Sequence, residues 1–322
     1  MPRSLSRPRT IRNLRPSTPA VLLALLLPLL LTLTACGGGS SDSGAAASES
    51  SGTGAFPVTV TGADGELALD EQPTAIVSMS ATATEMLFAI GAGDQVAAVD
   101  DNSNYPAEAP TTELSAFTPN AEAIAEYAPD LVVLSDDQNG IVGALDALSV
   151  PTLRLPAAET VDDTYAQLAT LGDATGHAQE ADAVVADMQD RIAAAVQSVS
   201  ADGMRVYHEL DPSFYSAASS TFIGSIYTMF GLENIADGAP DAAGGYPQVS
   251  AEYIVGQAPD LIVLADTVCC EQTAETVAQR PAFDTVPAVQ QGRVLAAGDD
   301  VASRWGPRVA DFAESVAETL KG

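Results

Sequence analysis

Residues 121–136 read AEAIAEYAPDLVVLSD, and residues 251–266 read AEYIVGQAPDLIVLAD; ten of the 16 positions are identical at a constant offset of 130. Each copy divides at its Pro-Asp pair. The Ala-rich stretch before it favours a helix, and proline discourages that helix from continuing. The unbroken apolar run after it suits a short strand covered on both faces, as in a parallel sheet. Asn120 and Ser250 stand where helix N-caps are expected. One helix–turn–strand unit thus occurs once in each half, which predicts two similar halves.

Working outward, the flanking sequence keeps the same rhythm. Residues 56–60 and 66–69 flank a Gly-Ala-Asp-Gly turn and read as a hairpin. Short strands are expected at 75–79, 95–99, 130–134 and 152–155, with a helix over 82–90 that stops at Gly91. The second half offers strands at 205–210, 260–264 and 293–297, a helix over 222–230 ending at Gly231, and a last helix over 309–320. Between the halves, 178–199 contain neither Gly nor Pro, and Ala181, Val184, Val185, Met188, Ile192, Ala195, Val196 and Val199 fall on one helical stripe. At ~1.5 Å per residue that helix is about 33 Å long, enough to cross between two lobes; an ordinary surface helix would show the same stripe. The expected fold class is α/β: two similar α/β lobes with central parallel-type sheets joined by one long α-helix, with a ligand cleft between the lobes. The expected boundaries are 56–176 for the N-terminal lobe, 177–200 for the bridging helix and 201–322 for the C-terminal lobe.

Residues 1–35 read as a signal peptide. Arg3, Arg7, Arg9, Arg12 and Arg15 precede an apolar run over 20–35, shorter than the roughly 20 residues of a spanning helix. The junction Leu33-Thr34-Ala35-Cys36 resembles a bacterial lipobox, which implies a lipidated Cys36 as the mature N-terminus. Residues 36–55 are mostly Gly, Ser, Ala and acidic residues; they lack the apolar surface to fold and are expected to form a tether. The expected location is extracytoplasmic, lipid-anchored to the cell membrane.

The chain has 13 Lys+Arg against 43 Asp+Glu, and five of the basic residues fall in the signal. Such acidity excludes nucleic acid and anionic membrane surfaces as partners. A salty habitat and mere high solubility both fit it. Gly-x-Ser-x-Gly, His-Glu-x-x-His and Walker-type loops are absent from the sequence. Gly91-Ala-Gly93 lacks the third glycine of a dinucleotide fingerprint, and His208-Glu209 has no nucleophile beside it in sequence. A binder with no catalytic residue, no cofactor of its own and no protein-bound metal is expected; a surface enzyme and an adhesion lipoprotein are the minor alternatives.

In open α/β sheets ligands sit beyond the carboxyl ends of the strands. That rule selects Ser78, Met79, Ser80, Asn104, Tyr105 and Asp136 in the first lobe. In the second it selects Glu209, Tyr215, Cys269, Cys270, Arg304 and Trp305. Trp305, the single tryptophan, offers a face for a flat or apolar ligand, or else fills the core. Arg308, at a helix start, reads as structural. Adjacent Cys269 and Cys270 in an oxidising compartment read as a vicinal disulfide that stiffens a cleft loop, or as two inert thiols; a thiol metal site is a lesser alternative.

Several stretches carry a family resemblance by their order and spacing: Ile76-Val-Ser-Met-Ser-Ala-Thr-Ala-Thr-Glu85, Asn104-Tyr-Pro106, the two Glu…Pro-Asp units, Gly231-Leu-Glu-Asn-Ile235 and Trp305-Gly-Pro-Arg308. They resemble the single-helix-linked solute-binding lipoproteins of ABC importers for ferric siderophores, haem and cobalamin. The resemblance covers essentially all of 56–322. It implies two lobes on a rigid bridging helix, limited closure on ligand, a monomer, and an ABC permease dimer as partner. It also implies that Glu122 and Glu252, at matching places in the repeat, dock on arginines of the two transmembrane subunits. A glutamate offsetting the dipole of its own helix explains the same positions.

The resemblance does not fix the solute. His177 and His208 are the only histidines, too few for bare zinc or manganese, whereas a chelated metal needs no protein ligand. Few arginines are available for a strongly anionic catecholate. A hydroxamate-type iron–siderophore is therefore favoured as the metal chelate, with a corrinoid or haem as the alternative.

Overall fold

The computed structural model describes residues 56–240 and 243–322; the signal, Cys36 and the tether lie outside the described residues. The chain opens with an antiparallel hairpin, β1 (Val58–Gly62) and β2 (Gly65–Leu69), as the turn signal predicts. A sheet follows, made of β3 (Ile76–Met79), β4 (Val96–Val99), β5 (Leu131–Leu134) and β6 (Thr152–Arg154), interleaved with α1 (Ala81–Ala89), α2 (Ala121–Ala125) and α3 (Ile141–Ala147) and followed by α4 (Val161–Thr175). Helix α5 (Ala178–Gln197) leads to the second sheet, made of β7 (Arg205–Glu209), β8 (Glu233–Asn234), β9 (Leu261–Leu264) and β10 (Val294–Ala296). Its helices are α6 (Phe222–Met229), α7 (Ala251–Gln257), α8 (Ala274–Ala278), α9 (Pro287–Gln290), α10 (Asp299–Ser303) and α11 (Val309–Lys321).

The two sheets share one topology. The strand orders are β4-β3-β5-β6 and β10-β9-β7-β8, and every pairing within them is parallel. If the strands of the second sheet are counted from β7, both sheets run second–first–third–fourth. The repeated unit supplies the third strand each time: β5 pairs with β3, and β9 pairs with β7. The likeness extends to the turn. Ala128 and Ala258, each just before its Pro-Asp pair, both adopt φ 49°, a left-handed conformation rarely taken by alanine. Asp130 and Asp260 then accept hydrogen bonds from the backbone that enters the neighbouring strand, at Thr74–Ala75 and at Arg205.

Alternation along the strands assigns their two faces. Ile76, Leu131, Val133, Val206, Leu261 and Val263 belong to one large core; Val77, Val132 and Leu134 belong to a second cluster, and Tyr207, Ile262 and Leu264 to a third. Each sheet therefore buries one face under its own short helices and the other in a core common to both lobes. Helix α5 joins this common core through Ala181, Met188, Ile192 and Ala195, and packs against α4 on one side and α11 on the other. The stripe read from sequence is thus the buried stripe. Close approach of α4 and α5 requires Gly172, since a Cβ there would stand 2.5 Å from that of Ala181. A core continuous through both lobes resists large rearrangement, because packed interiors deform little without losing contacts.

Candidate ligand cleft

The strand order places a topological switch point between β3 and β5, where neighbouring connections leave in opposite directions and open a crevice. A hollow of about 290 Å³ lies there. Met79 and Ser80 from the end of β3, Asp100 and Asn102 after β4, and Ser135 and Asp136 after β5 line it, with Phe117 on the rim. Arg304 and Trp305 of the second lobe close it from the opposite side.

Hydroxyl groups fix the floor. Ser80 caps α1 by accepting the Ala83 N–H, a contact worth about 1 kcal/mol. Beneath it the Thr84 hydroxyl donates to Ser78 Oγ at 2.9 Å and lies 2.8 Å from Ser103 Oγ, and Ser103 donates to Asp100 at 2.9 Å. Burial raises the Asp100 carboxyl above its ordinary value, although the Asn102 N–H and the Ser103 hydroxyl offset part of that rise.

The second lobe reaches this hollow through the chain that leaves α10. Arg304 Nη1 donates to Glu85 at 2.8 Å and to Asn104 Oδ1 at 2.9 Å; its Nη2 donates to the Asn102 carbonyl at 3.0 Å and pairs with Asp300 at 2.8 Å. Asn104 in turn donates to Asp300 at 2.8 Å. Trp305 is half-buried; its Nε1 donates to Gln167 at 3.3 Å and its carbonyl accepts from Thr164 at 2.9 Å, both on α4. Arg308 donates twice to Glu85, at 2.8 and 2.5 Å, and stacks 4.3 Å from the centre of the Tyr105 ring. The Glu85 carboxylate, almost fully buried on α1, thus holds both arginines. Gly306 permits this approach, since a Cβ there would lie 3.3 Å from Glu85 Oε2.

The structure brings Met79, Ser80, Asp136, Arg304 and Trp305 to one hollow and treats the other expected cleft residues differently. Ser78 and Glu209 are fully buried and do not form cleft wall. Ser78 lies within β3 and its hydroxyl bonds to Ser80 O, while Glu209 is held by Arg280 through bonds of 2.6 and 2.5 Å. Burying a carboxylate requires such a partner, and the Arg280 guanidinium itself lies 5.3 and 5.5 Å from the ring centres of Phe214 and Phe283. Tyr105 faces a separate hollow with Arg308, Arg191 and Phe88 rather than the cleft. Asn104 serves the Arg304–Asp300 network. Tyr215, Cys269 and Cys270 follow β7 and β9 at the carboxyl edge of the second sheet; Tyr215 is exposed, and Cys269 and Cys270 are joined as a disulfide between neighbours. Asp299 holds that loop by accepting the N–H groups of Val268 and Cys269, both at 3.0 Å. Sequence reasoning missed Phe117, 73% exposed, whose signal was an aromatic in a polar, proline-bearing loop. It also missed Glu85 as the joint between lobes. Among the described residues no group of three or more His, Cys, Asp or Glu is arranged to hold a metal ion.

Comparison with known proteins places this geometry among relatives. The profile of the family described as periplasmic binding protein matches residues 76–301. An uncharacterized ABC transporter substrate-binding lipoprotein, YvrC of Bacillus subtilis, is 29% identical over 83% of this chain and 87% of its own length. A cobalamin-binding protein of Halobacterium salinarum is 31% identical over 80% of this chain and 72% of its own. The crystal structure of the periplasmic vitamin B12 binding protein BtuF of Vibrio cholerae superposes with a TM-score of 0.64 at 24% identity, covering 77% of this chain and 97% of that one.

Proposed function

This chain belongs to the periplasmic binding protein family, and on that premise we propose that it captures a corrinoid outside the cell and delivers it to an ABC importer. The observation that carries this reading is the chemistry of the cleft. It offers Trp305 and Phe117 as apolar surface, while its one lining arginine is already bonded to protein carboxylates. That suits a large, uncharged chelate with an apolar face. The hollow of about 290 Å³ receives an edge of such a molecule; the rest lies against the carboxyl edge of the second sheet, where Tyr215 and Val268 are exposed. The Halobacterium relative, 31% identical, is a cobalamin-binding protein, and this favours a corrinoid. The hydroxamate siderophore favoured on composition has the same neutral charge and is the second reading. The test is native mass spectrometry of protein purified from its own host: a co-purified cobalt corrinoid is expected, and a co-purified iron chelate would overturn the choice.

The same reading makes Cys36 the lipid anchor and the permease a two-fold partner met by Glu122 and Glu252. Among the described residues no helix is long and apolar enough to cross a membrane; the anchor reading rests on the lipobox-like Leu33-Thr34-Ala35-Cys36. Cys36→Ala is expected to leave a folded protein that no longer pellets with membranes; retention on salt-washed membranes would refute the anchor.

A further inference from the structure

Arg304 is the one basic residue lining the cleft, and the donors of its two terminal nitrogens are engaged. A guanidinium has five N–H donors. The four on its two terminal nitrogens face Glu85, Asn104, the Asn102 carbonyl and Asp300, at 2.8–3.0 Å. Its charge is met by two carboxylates. That of Glu85 has a side chain only 1% exposed and is therefore little screened by solvent; that of Asp300 is 40% exposed. Asp100 and Asp136 add further carboxyl groups to the same hollow. An anionic group entering it finds no free pair of terminal guanidinium nitrogens for bidentate pairing, and meets carboxylates instead.

We propose that Glu85 and Asp300 are specificity-determining residues: by occupying and neutralising Arg304, they make the cleft select an uncharged chelate against an anionic one of the same shape. The proposal rests on the chelate-binding reading and adds what the site rejects. Rejection of a wrong ligand by unpaired like charge is as much a part of specificity as attraction of the right one. Removing either carboxylate would return Arg304 to the ligand. Asp300 is the milder change, since its side chain is 40% exposed and bonds Arg304 and Asn104, while the backbone bond from the Arg304 N–H to its carbonyl does not depend on the carboxylate. Glu85 also holds Arg308, so its loss disturbs the joint between the lobes.

The test is equilibrium binding of two matched pairs to the full chain. The first is cyanocobalamin and its derivative with one peripheral amide hydrolysed to carboxylate. The second is an uncharged ferric trihydroxamate and a trianionic ferric tricatecholate. Wild-type protein is expected to bind the neutral member of its preferred pair about ten-fold or more tightly than the anionic one. Asp300→Asn should narrow that ratio about three-fold, and Glu85→Gln should narrow it further, Asp300→Asn carrying the test where Glu85→Gln fails to fold. Adding Arg304→Gln to Asp300→Asn should restore the wild-type ratio, because the gain passes through the freed guanidinium. Equal binding of both members by wild type, or a ratio unmoved by Asp300→Asn, overturns the proposal. Preference confined to the hydroxamate pair overturns the corrinoid reading and leaves this one standing. Binding of none of the four compounds overturns both.

Discussion

Asp130 and Asp260, 130 residues apart, fasten equivalent strands with unequal numbers of hydrogen bonds. Asp130 accepts from the Thr74 N–H at 2.8 Å, the Thr74 hydroxyl at 2.9 Å and the Ala75 N–H at 3.1 Å, whereas Asp260 accepts from the Arg205 N–H at 2.9 Å. The repeat therefore conserves the position of the latch between the halves but not its strength.

From this difference, Asp130→Ala should destabilise the protein by about 2–3 kcal/mol and Asp260→Ala by about 1 kcal/mol, as bonds to a charged acceptor are worth more than neutral ones. Urea denaturation curves read at constant slope measure both. Equal losses at the two sites would show that the additional bonds of Asp130 contribute nothing.

The repeat was legible because both of its parts are local. Short apolar runs and helix caps lie within a few residues of each other, and the offset of 130 follows from comparing the chain with itself. The bridging helix was legible for the same reason, as Ala181, Met188, Ile192 and Ala195 declare one buried stripe by spacing alone. The ionic joints were not. Glu85 meets Arg304 and Arg308 across more than two hundred residues, and Glu209 meets Arg280 across 71. Nothing local marks a glutamate at a strand end as buried and paired rather than open to a cleft. The loop rule chose the right edge of each sheet; it could not say which side chains turn inward there.

Two buried groups of the second sheet should give opposing pH effects. Burial, with Glu209 adjacent, pushes the Asp266 carboxyl up from 3.8 to about 7, and neither of its oxygens has a partner in the protein. Between those values the folded protein holds a proton that the unfolded chain has lost, so stability falls as pH rises through the window. Burial lowers His208 from 6.5 to about 3. There the unfolded chain takes up a proton that the folded one refuses, so stability falls as pH drops below 6.5. From about pH 4 to 6.5 the two slopes oppose each other. Asp266→Asn removes one of them. Its stability relative to wild type should rise steadily from pH 4 and level off above pH 7, at a gain of about 2–4 kcal/mol. Melts of both proteins across pH 4–8 provide the check; curves that stay parallel would mean that Asp266 does not hold a proton in the fold.

Glu122 and Glu252 open α2 and α7, capped by Asn120 and Ser250. If their role is docking, changing both to Ala should leave chelate affinity within about two-fold and cost only the small, solvent-screened helix-dipole contribution of each. Uptake should fall with either change and more with both, because two contacts on a two-fold partner reinforce one another through effective concentration. Uptake assays in cells lacking the wild-type gene measure this. Full uptake by the double variant would leave the dipole as the whole explanation.

The most direct test of the account is calorimetric titration of the purified protein with cyanocobalamin, and in parallel with zinc and manganese free of chelator. The account predicts a one-to-one complex of micromolar or tighter affinity with cyanocobalamin, about −8 kcal/mol or stronger. It also predicts a negative heat-capacity change from apolar burial against Trp305 and Phe117, and no comparable binding of either bare metal. Tight binding of zinc without a chelator, or no binding of cyanocobalamin, would contradict it.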